Sequence, residues 1–225
     1  MANTETTINA VIHPKYNDNP IDIEKTIKAL ERNNFVVHYF ETGTEAISYL
    51  KGRIQNKRVA IGDSRTLLKL NAYEALSEVN KDVMDIQRPL PGESFRDTAL
   101  RTMGRDVFLT SVNALAQTGE MVNIDGTGNR VAASLFGSQE VFFVLGINKI
   151  TPDLASAIYR ARNVAAPLNS KKNKKSSLNP CATLEENCYD CGSPDRICNA
   201  LTIYYKKMPN MQTMEVIIIN ESLGF

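Results

Sequence analysis

The chain has 225 residues, 43% hydrophobic and 23% charged, with a formal net charge of +1 and a sequence pI of about 7.6. That length suits one large domain with a sizeable core. The even charge balance argues against a nucleic-acid binder, which carries a basic face or stripe, and no stretch reaches the about 20 apolar residues of a membrane span. The polar start, Met1 to Thr7, lacks the basic flank and apolar run of a secretory signal, so the expected location is cytoplasmic.

Residues 1–19 read as a lead segment. A first helix is expected to open at Asn19-Pro20, a cap followed by a first-turn proline, with Ile23, Ile27 and Leu30 forming its buried face. Phe35 to Phe40 reads as a strand, and Thr44 to Lys51 as a short helix leading to the apolar run Val59-Ala60-Ile61. Helical stretches are expected near Leu67–Glu78, Ser94–Met103 and Pro152–Ala165, the last capped by Thr151 with Pro152 and Asp153 in its first turn. Between them, Val107–Leu109, Val141–Leu145 and Val216–Ile219 are continuously apolar, as strands buried on both faces are. Alternation of such strands with helices predicts an open α/β sheet. From Leu168 to Asn179 the texture turns to Asn, Ser and Lys, including Lys171, Lys172, Lys174 and Lys175, and reads as a solvated connector. His38 falls within a strand and reads as a packing residue; with His13 it completes the histidines, and no Ser/His/Asp set is apparent.

All four cysteines fall in one short segment, Cys181-x6-Cys188-x2-Cys191-x6-Cys198. A two-residue gap lets two thiolates turn onto one ion, and the outer pair completes four soft ligands, a set suited to zinc or an iron–sulfur cluster. Pro180, Gly192 and Pro194 supply turns, and apolar segments follow at Leu201–Tyr205 and Val216–Ile219, so residues 178–200 read as a metal module inserted before the last strands.

Three polar stretches follow apolar runs, where open α/β sheets form ligand sites. Gly62-Asp63-Ser64-Arg65-Thr66 offers Ser64 and Thr66 hydroxyls to an anion, with Asp63 opposing unless Arg65 offsets it. The stretch from Thr110 to Val131 gathers Asn113, Glu120, Asn123, Asp125, Asn129 and Arg130 around glycines; Gly126-Thr127-Gly128 is not a dinucleotide fingerprint, because Val131 stands at the third glycine, and a hydrogen-bonded turn with its bend at Asp125-Gly126 is the alternative. Gly146-Ile147-Asn148-Lys149 could bring Asn148 and Lys149 into the same crevice.

These stretches, with Asp125 to Ala133, Gly146 to Ile150, Ala165-Ala166-Pro167, Cys188-Tyr189-Asp190-Cys191, Arg196 to Asn199 and Leu223-Gly224-Phe225, closely resemble the lactate-utilization (LUD) domain family over residues 20–225. The resemblance implies a Rossmann-like open sheet similar to sugar-phosphate isomerases and CoA transferases. It also implies a subunit or accessory of a system oxidising lactate to pyruvate, working with iron–sulfur and oxidoreductase partner subunits. On this reading a small carboxylate such as lactate binds at Ser64, Thr66, Asn113, Asn129, Arg130, Asn148 and Lys149, with Arg130 or Lys149 pairing its charge. Electrons then pass through an iron–sulfur cluster on Cys181, Cys188, Cys191 and Cys198. The alternatives are a non-redox isomerase or transferase with structural zinc, using Glu120 or Asp125 as catalytic acid/base, and a non-enzymatic regulatory binding module. Two positions depart from the family and its fold relatives. Asp63 stands where a second glycine is usual, and Gln117-Thr118-Gly119 replaces a Glu-Asn-Gly string, so the glutamate nucleophile of CoA transferases is missing.

Overall fold

A computed structural model describes residues 20–172, 178–184 and 187–225. The expectation at His13 and part of the lysine-rich connector lie outside these residues.

The alternation of apolar runs with helices produces a six-stranded, wholly parallel sheet. Its strands are β1 (Val36–Phe40), β2 (Arg58–Ile61), β3 (Asp82–Asp85), β4 (Val107–Thr110), β7 (Glu140–Gly146) and β10 (Thr213–Ile219), in the order β1-β10-β7-β4-β2-β3. This is a Rossmann-like open sheet. Alternate residues of each central strand serve opposite faces. Phe108, Val141, Phe143, Val216 and Ile218 pack with Ile23, Ile27 and Leu30 of α1 (Ile23–Arg32), whereas Leu109, Phe142, Val144, Ile217 and Ile219 pack with Ala46 and Leu50 of α2 (Gly43–Arg53). Both faces are covered, which is why these strands read as unbroken apolar runs.

A second sheet lies over the first face, in the order β8-β5-β6-β9, from β5 (Ala114–Ala116), β6 (Met121–Asp125), β8 (Ile150–Thr151) and β9 (Ala200–Tyr204). Its Leu115, Met121 and Tyr204 join the core of the main sheet, while Ala114, Ala116 and Val122 pack outward against Ala157 and Ala161. The sequence reads as one polar stretch from Thr110 to Val131; β5 and β6 within it are short, and their polar ends conceal the apolar residues between.

Several boundaries differ from expectation for local reasons. α1 is capped by Asp22, whose carboxylate accepts from Lys25 N at 2.8 Å, so Pro20 lies outside the helix. The expected helix near Leu67–Glu78 is two short ones, α3 (Arg65–Lys69) and α4 (Ala72–Ser77), divided where Asn71 adopts φ +52°. After α5 (Phe95–Thr102) and α6 (Asn129–Ala132), α7 (Leu154–Arg160) is capped by Asp153 rather than Thr151. It runs through a wider turn at Ala161–Ala165 into α8 (Ala166–Lys172), so Leu168–Lys172, expected as connector, is helical. Among the described residues no helix is long and apolar enough to cross a membrane.

Candidate functional site

The C-terminal ends of β2, β4 and β7 converge on a cleft of about 460 Å³. Its lining includes Ser64, Arg65, Ser111, Asn113, Asn129 and Lys149, and its apolar walls come from Phe95, Ile197 and Phe225. Parallel strands all end on one side, so the loops that follow them meet there regardless of sequence separation.

Lys149 sits at the cleft base, just after β7. It is 4% exposed, and Nζ lies 2.9 Å from Ser111 Oγ, 3.1 Å from Thr66 Oγ1 and 3.1 Å from the Val112 carbonyl. No carboxylate pairs with it among the described residues. Burial, reinforced by the Arg160 and Arg130 guanidiniums, holds the amine well below the ordinary lysine range. Thr66 Oγ1 also reaches the Leu223 carbonyl at 3.3 Å, drawing the C-terminal segment over the site. Gly224 takes φ +68° there, and a Cβ on it would lie 2.6 Å from Thr66 Oγ1 and 3.2 Å from Lys149 Nζ, so both conformation and space require glycine.

The stretch from Ser111 to Arg130 is held by a reciprocal amide clamp. Asn123 Oδ1 accepts from Asn113 N at 3.0 Å, and Asn113 Oδ1 accepts from Ile124 N at 2.7 Å. Asp125 Oδ1 accepts from the backbone N–H of Thr127 and Gly128, at 3.1 and 2.7 Å, which is the hydrogen-bonded turn the sequence allows. Its other oxygen receives Arg130 Nε at 3.2 Å. Arg130 spends a second nitrogen on Asn113 Oδ1 and on the Ile124 carbonyl, at 3.3 and 2.6 Å. Asp125 and Arg130 therefore satisfy one another and the loop backbone.

Among the sequence-nominated residues, the structure brings Ser64, Asn113, Asp125, Asn129, Arg130 and Lys149 to the cleft wall. Ser64 also caps α3, accepting from Leu67 N at 3.2 Å. Thr66 lies directly behind Lys149. Asn148 faces the C-terminal segment instead, accepting from Leu223 N at 3.0 Å. Glu120 is not in the cleft lining: it accepts from Thr118 at the β5–β6 hairpin turn, about 17 Å along β6 from Asp125 at the usual strand rise. Gln117 anchors α1 by accepting from Asp22 N at 2.9 Å.

Two arginines add to this set. Arg65 is exposed at the cleft rim and makes no ion pair or hydrogen bond among the described residues. Arg160 is 8% exposed; Nε donates to the Asn148 carbonyl at 3.1 Å and another nitrogen donates to the Asn113 carbonyl, fastening two strand-end loops together. Burial pulls its guanidinium down to about 10. Its sequence signal is its place on the apolar stripe Ala157, Ala161, Val164.

The cysteine module adjoins the cleft. Ile197 forms part of the wall, Asn199 N donates to the Asp125 carbonyl at 2.9 Å, and Asn199 Nδ2 donates to the Gly126 carbonyl at 2.9 Å. A Cβ on Gly126 would stand 2.9 Å from the Ile197 carbonyl oxygen, so glycine permits this seam. Cys181, on α9 (Pro180–Thr183), Cys188, Cys191 and Cys198 are all free, half-buried thiols. Burial pushes the Cys198 thiol up; Arg196 opposes that shift, while Cys188 and Cys191 add to it. Arg162 reaches Cys188 Sγ at 3.8 Å, and Arg196 donates to the Cys191 and Cys198 carbonyls at 2.8 and 3.0 Å. Four soft donors with two guanidiniums beside them suit an anionic metal–thiolate centre in chemistry. Among the described residues, no three His, Cys, Asp or Glu side chains converge closely enough to hold an ion.

Comparison with known proteins gives a family match: the LUD domain profile covers residues 23–219. Curated proteins give no match. A solved structure, described as a DUF162 family protein from Deinococcus radiodurans, aligns over 89% of this chain and 99% of its own, with 13% identity and a TM-score of 0.49.

Proposed function

The chain belongs to the lactate-utilization (LUD) domain family, and on that premise we propose that its cleft binds a small 2-hydroxy or 2-oxo carboxylate within a lactate-oxidising system. The observation that carries this reading is the pairing of an uncommitted guanidinium, Arg65, at the rim with a hydroxyl- and amine-lined base at Ser111 and Lys149. A guanidinium fork matches the two oxygens of a carboxylate, and the hydroxyls suit the adjacent 2-oxygen. Arg130 is committed to Asp125 and Asn113, so its part is to shape the loop, and Arg65 takes the ion-pairing role. Asn129, whose side-chain oxygen accepts from Thr127, keeps its amide N–H groups for the ligand.

In this proposal Cys181, Cys188, Cys191 and Cys198 would hold an iron–sulfur cluster, which supplies one-electron transfer when bound. The seam from Ile197 to Asn199 supports the coupling, since Cys198 lies next to a cleft-wall residue. The chain would then act as a subunit or accessory beside iron–sulfur and oxidoreductase partners.

Calorimetric titration with lactate and pyruvate tests the binding role. Saturable binding that weakens about tenfold or more in Arg65→Ala is expected, in line with the about 1.5–3 kcal/mol of a charge-assisted hydrogen bond. No heat change with either acid would refute it. Anaerobic purification followed by iron, sulfide and zinc analysis tests the cysteine role. Iron with sulfide supports it, zinc alone makes the centre structural, and neither metal removes it.

A further inference from the structure

From the surroundings of Lys149 we infer that this residue is an imine-forming amine, which takes a 2-oxo acid into reversible covalent linkage at the base of the cleft. The inference rests on the carboxylate-binding reading and adds a chemical step to it.

Three features converge. First, Lys149 lines an open cleft yet is withdrawn from water, and two guanidiniums, Arg130 and Arg160, are its charged neighbours, with no carboxylate paired to it among the described residues. A lysine kept as a counter-ion is normally paired with an acid when buried, so this setting favours the neutral, nucleophilic form. Secondly, the hydrogen-bonding partners of Nζ can accommodate a neutral amine. The Thr66 hydroxyl can donate to the Leu223 carbonyl, leaving Thr66 Oγ1 to accept one Nζ–H, and the Val112 carbonyl accepts the other. Nζ donates to Ser111 Oγ at 2.9 Å; in the neutral form the Ser111 hydroxyl, whose acceptor is otherwise the Val112 carbonyl at 3.4 Å, can turn to donate to the nitrogen lone pair. Thirdly, Arg65 and Lys149 line the same cleft, so a cation stands near the space that a 2-oxo acid would enter.

The step balances without an outside oxidant. The Nζ lone pair forms a C–N bond to the carbonyl carbon as the C=O π pair moves to oxygen. That oxygen takes the proton released from nitrogen, with Ser111 as relay, giving a carbinolamine. The hydroxyl then leaves as water after a second proton transfer, and the nitrogen lone pair forms the C=N bond. Return of water releases the acid unchanged. A 2-hydroxy acid has no carbonyl and cannot follow this course, so Lys149 would separate the two oxidation states of one carbon skeleton.

The test is borohydride trapping on the full chain. Protein is incubated with pyruvate, reduced, digested and mapped by mass spectrometry, with calorimetric titration of the same preparation in parallel. One adduct is expected, at Lys149, with the mass of pyruvate less water plus two hydrogens, and excess lactate should suppress it. Ser111→Ala should slow its formation by about tenfold or more, as loss of a proton relay does. Pyruvate binding without an adduct at Lys149, or adducts scattered over exposed lysines, overturns the inference and leaves the binding role standing. No pyruvate binding and no adduct removes both together.

Discussion

Replacing Lys149 by methionine keeps an unbranched side chain of similar bulk and deletes the amine. Three hydrogen bonds of 2.9–3.1 Å disappear. Their partners do not all become orphans, because Ser111 Oγ lies 3.4 Å from both Thr66 Oγ1 and the Val112 carbonyl and can re-pair. The loss in hydrogen bonding is therefore about 1–2 kcal/mol, rather than the sum for three unsatisfied groups. The pH dependence is more telling. In the folded chain the amine titrates well below 10.5, whereas in the unfolded chain it is an ordinary lysine. Between those two values the unfolded state binds the extra proton, so stability rises as pH rises, by about 1.4 kcal/mol per unit, and levels off above the unfolded value. Urea unfolding of wild type and Lys149→Met at pH 8 and pH 9 isolates this contribution, since all other groups are shared. The wild type should gain on the variant as pH rises over that unit, by at most about 1.4 kcal/mol. Parallel profiles would mean that the folded lysine keeps its proton, and the nucleophile argument would fail with them.

Other outcomes follow from the same contacts. Arg65→Ala should leave urea stability within about 0.5 kcal/mol, as an exposed, unpaired side chain does, while weakening carboxylate binding; a large stability loss would show that Arg65 has a structural partner. Asp125→Ala strips two backbone N–H groups and Arg130 of their acceptor, and should cost about 3 kcal/mol by denaturant midpoint, with Asp125→Asn recovering part. At the opposite, N-terminal ends of the central strands β7 and β10, Arg53 bridges Glu140 and Glu215, at 2.7 and 3.0 Å. Arg53→Met should cost about 3 kcal/mol by denaturant midpoint at pH 7; Lys57, 3.1 Å from Glu140, limits the loss. Cys188→Ser should lower the iron and sulfide recovered anaerobically to background, and unchanged metal content would exclude Cys188 as a ligand.

The parallel sheet was legible because its central strands are buried on both faces, leaving unbroken runs such as Val141–Leu145 and Val216–Ile219. The second sheet was not. β5 has three residues, β8 two, and their flanking Asn, Thr and Gly residues carry the signal of turns. The cleft was legible to the extent that it follows strand ends: Ser64, Asn113 and Lys149 stand just after apolar runs. What sequence leaves out is direction. Glu120 and Asp125 sit in one polar stretch, yet a strand separates them, and only pairing with β9 and β5 reveals which end meets the cleft. Commitment is also invisible along the chain. Arg130 resembles a free carboxylate partner until Asp125 and Asn113 are seen to hold it, whereas Arg65, first read as a foil for Asp63, lines the cleft with no side-chain partner among the described residues.

A crystal structure of the protein grown with saturating pyruvate bears most directly on the carboxylate-binding cleft. The account predicts the ligand's two acidic oxygens against the Arg65 guanidinium and its central carbon at bonding or contact distance from Lys149 Nζ. Pyruvate bound elsewhere on the surface, with only water between Arg65 and Ser111, would contradict it.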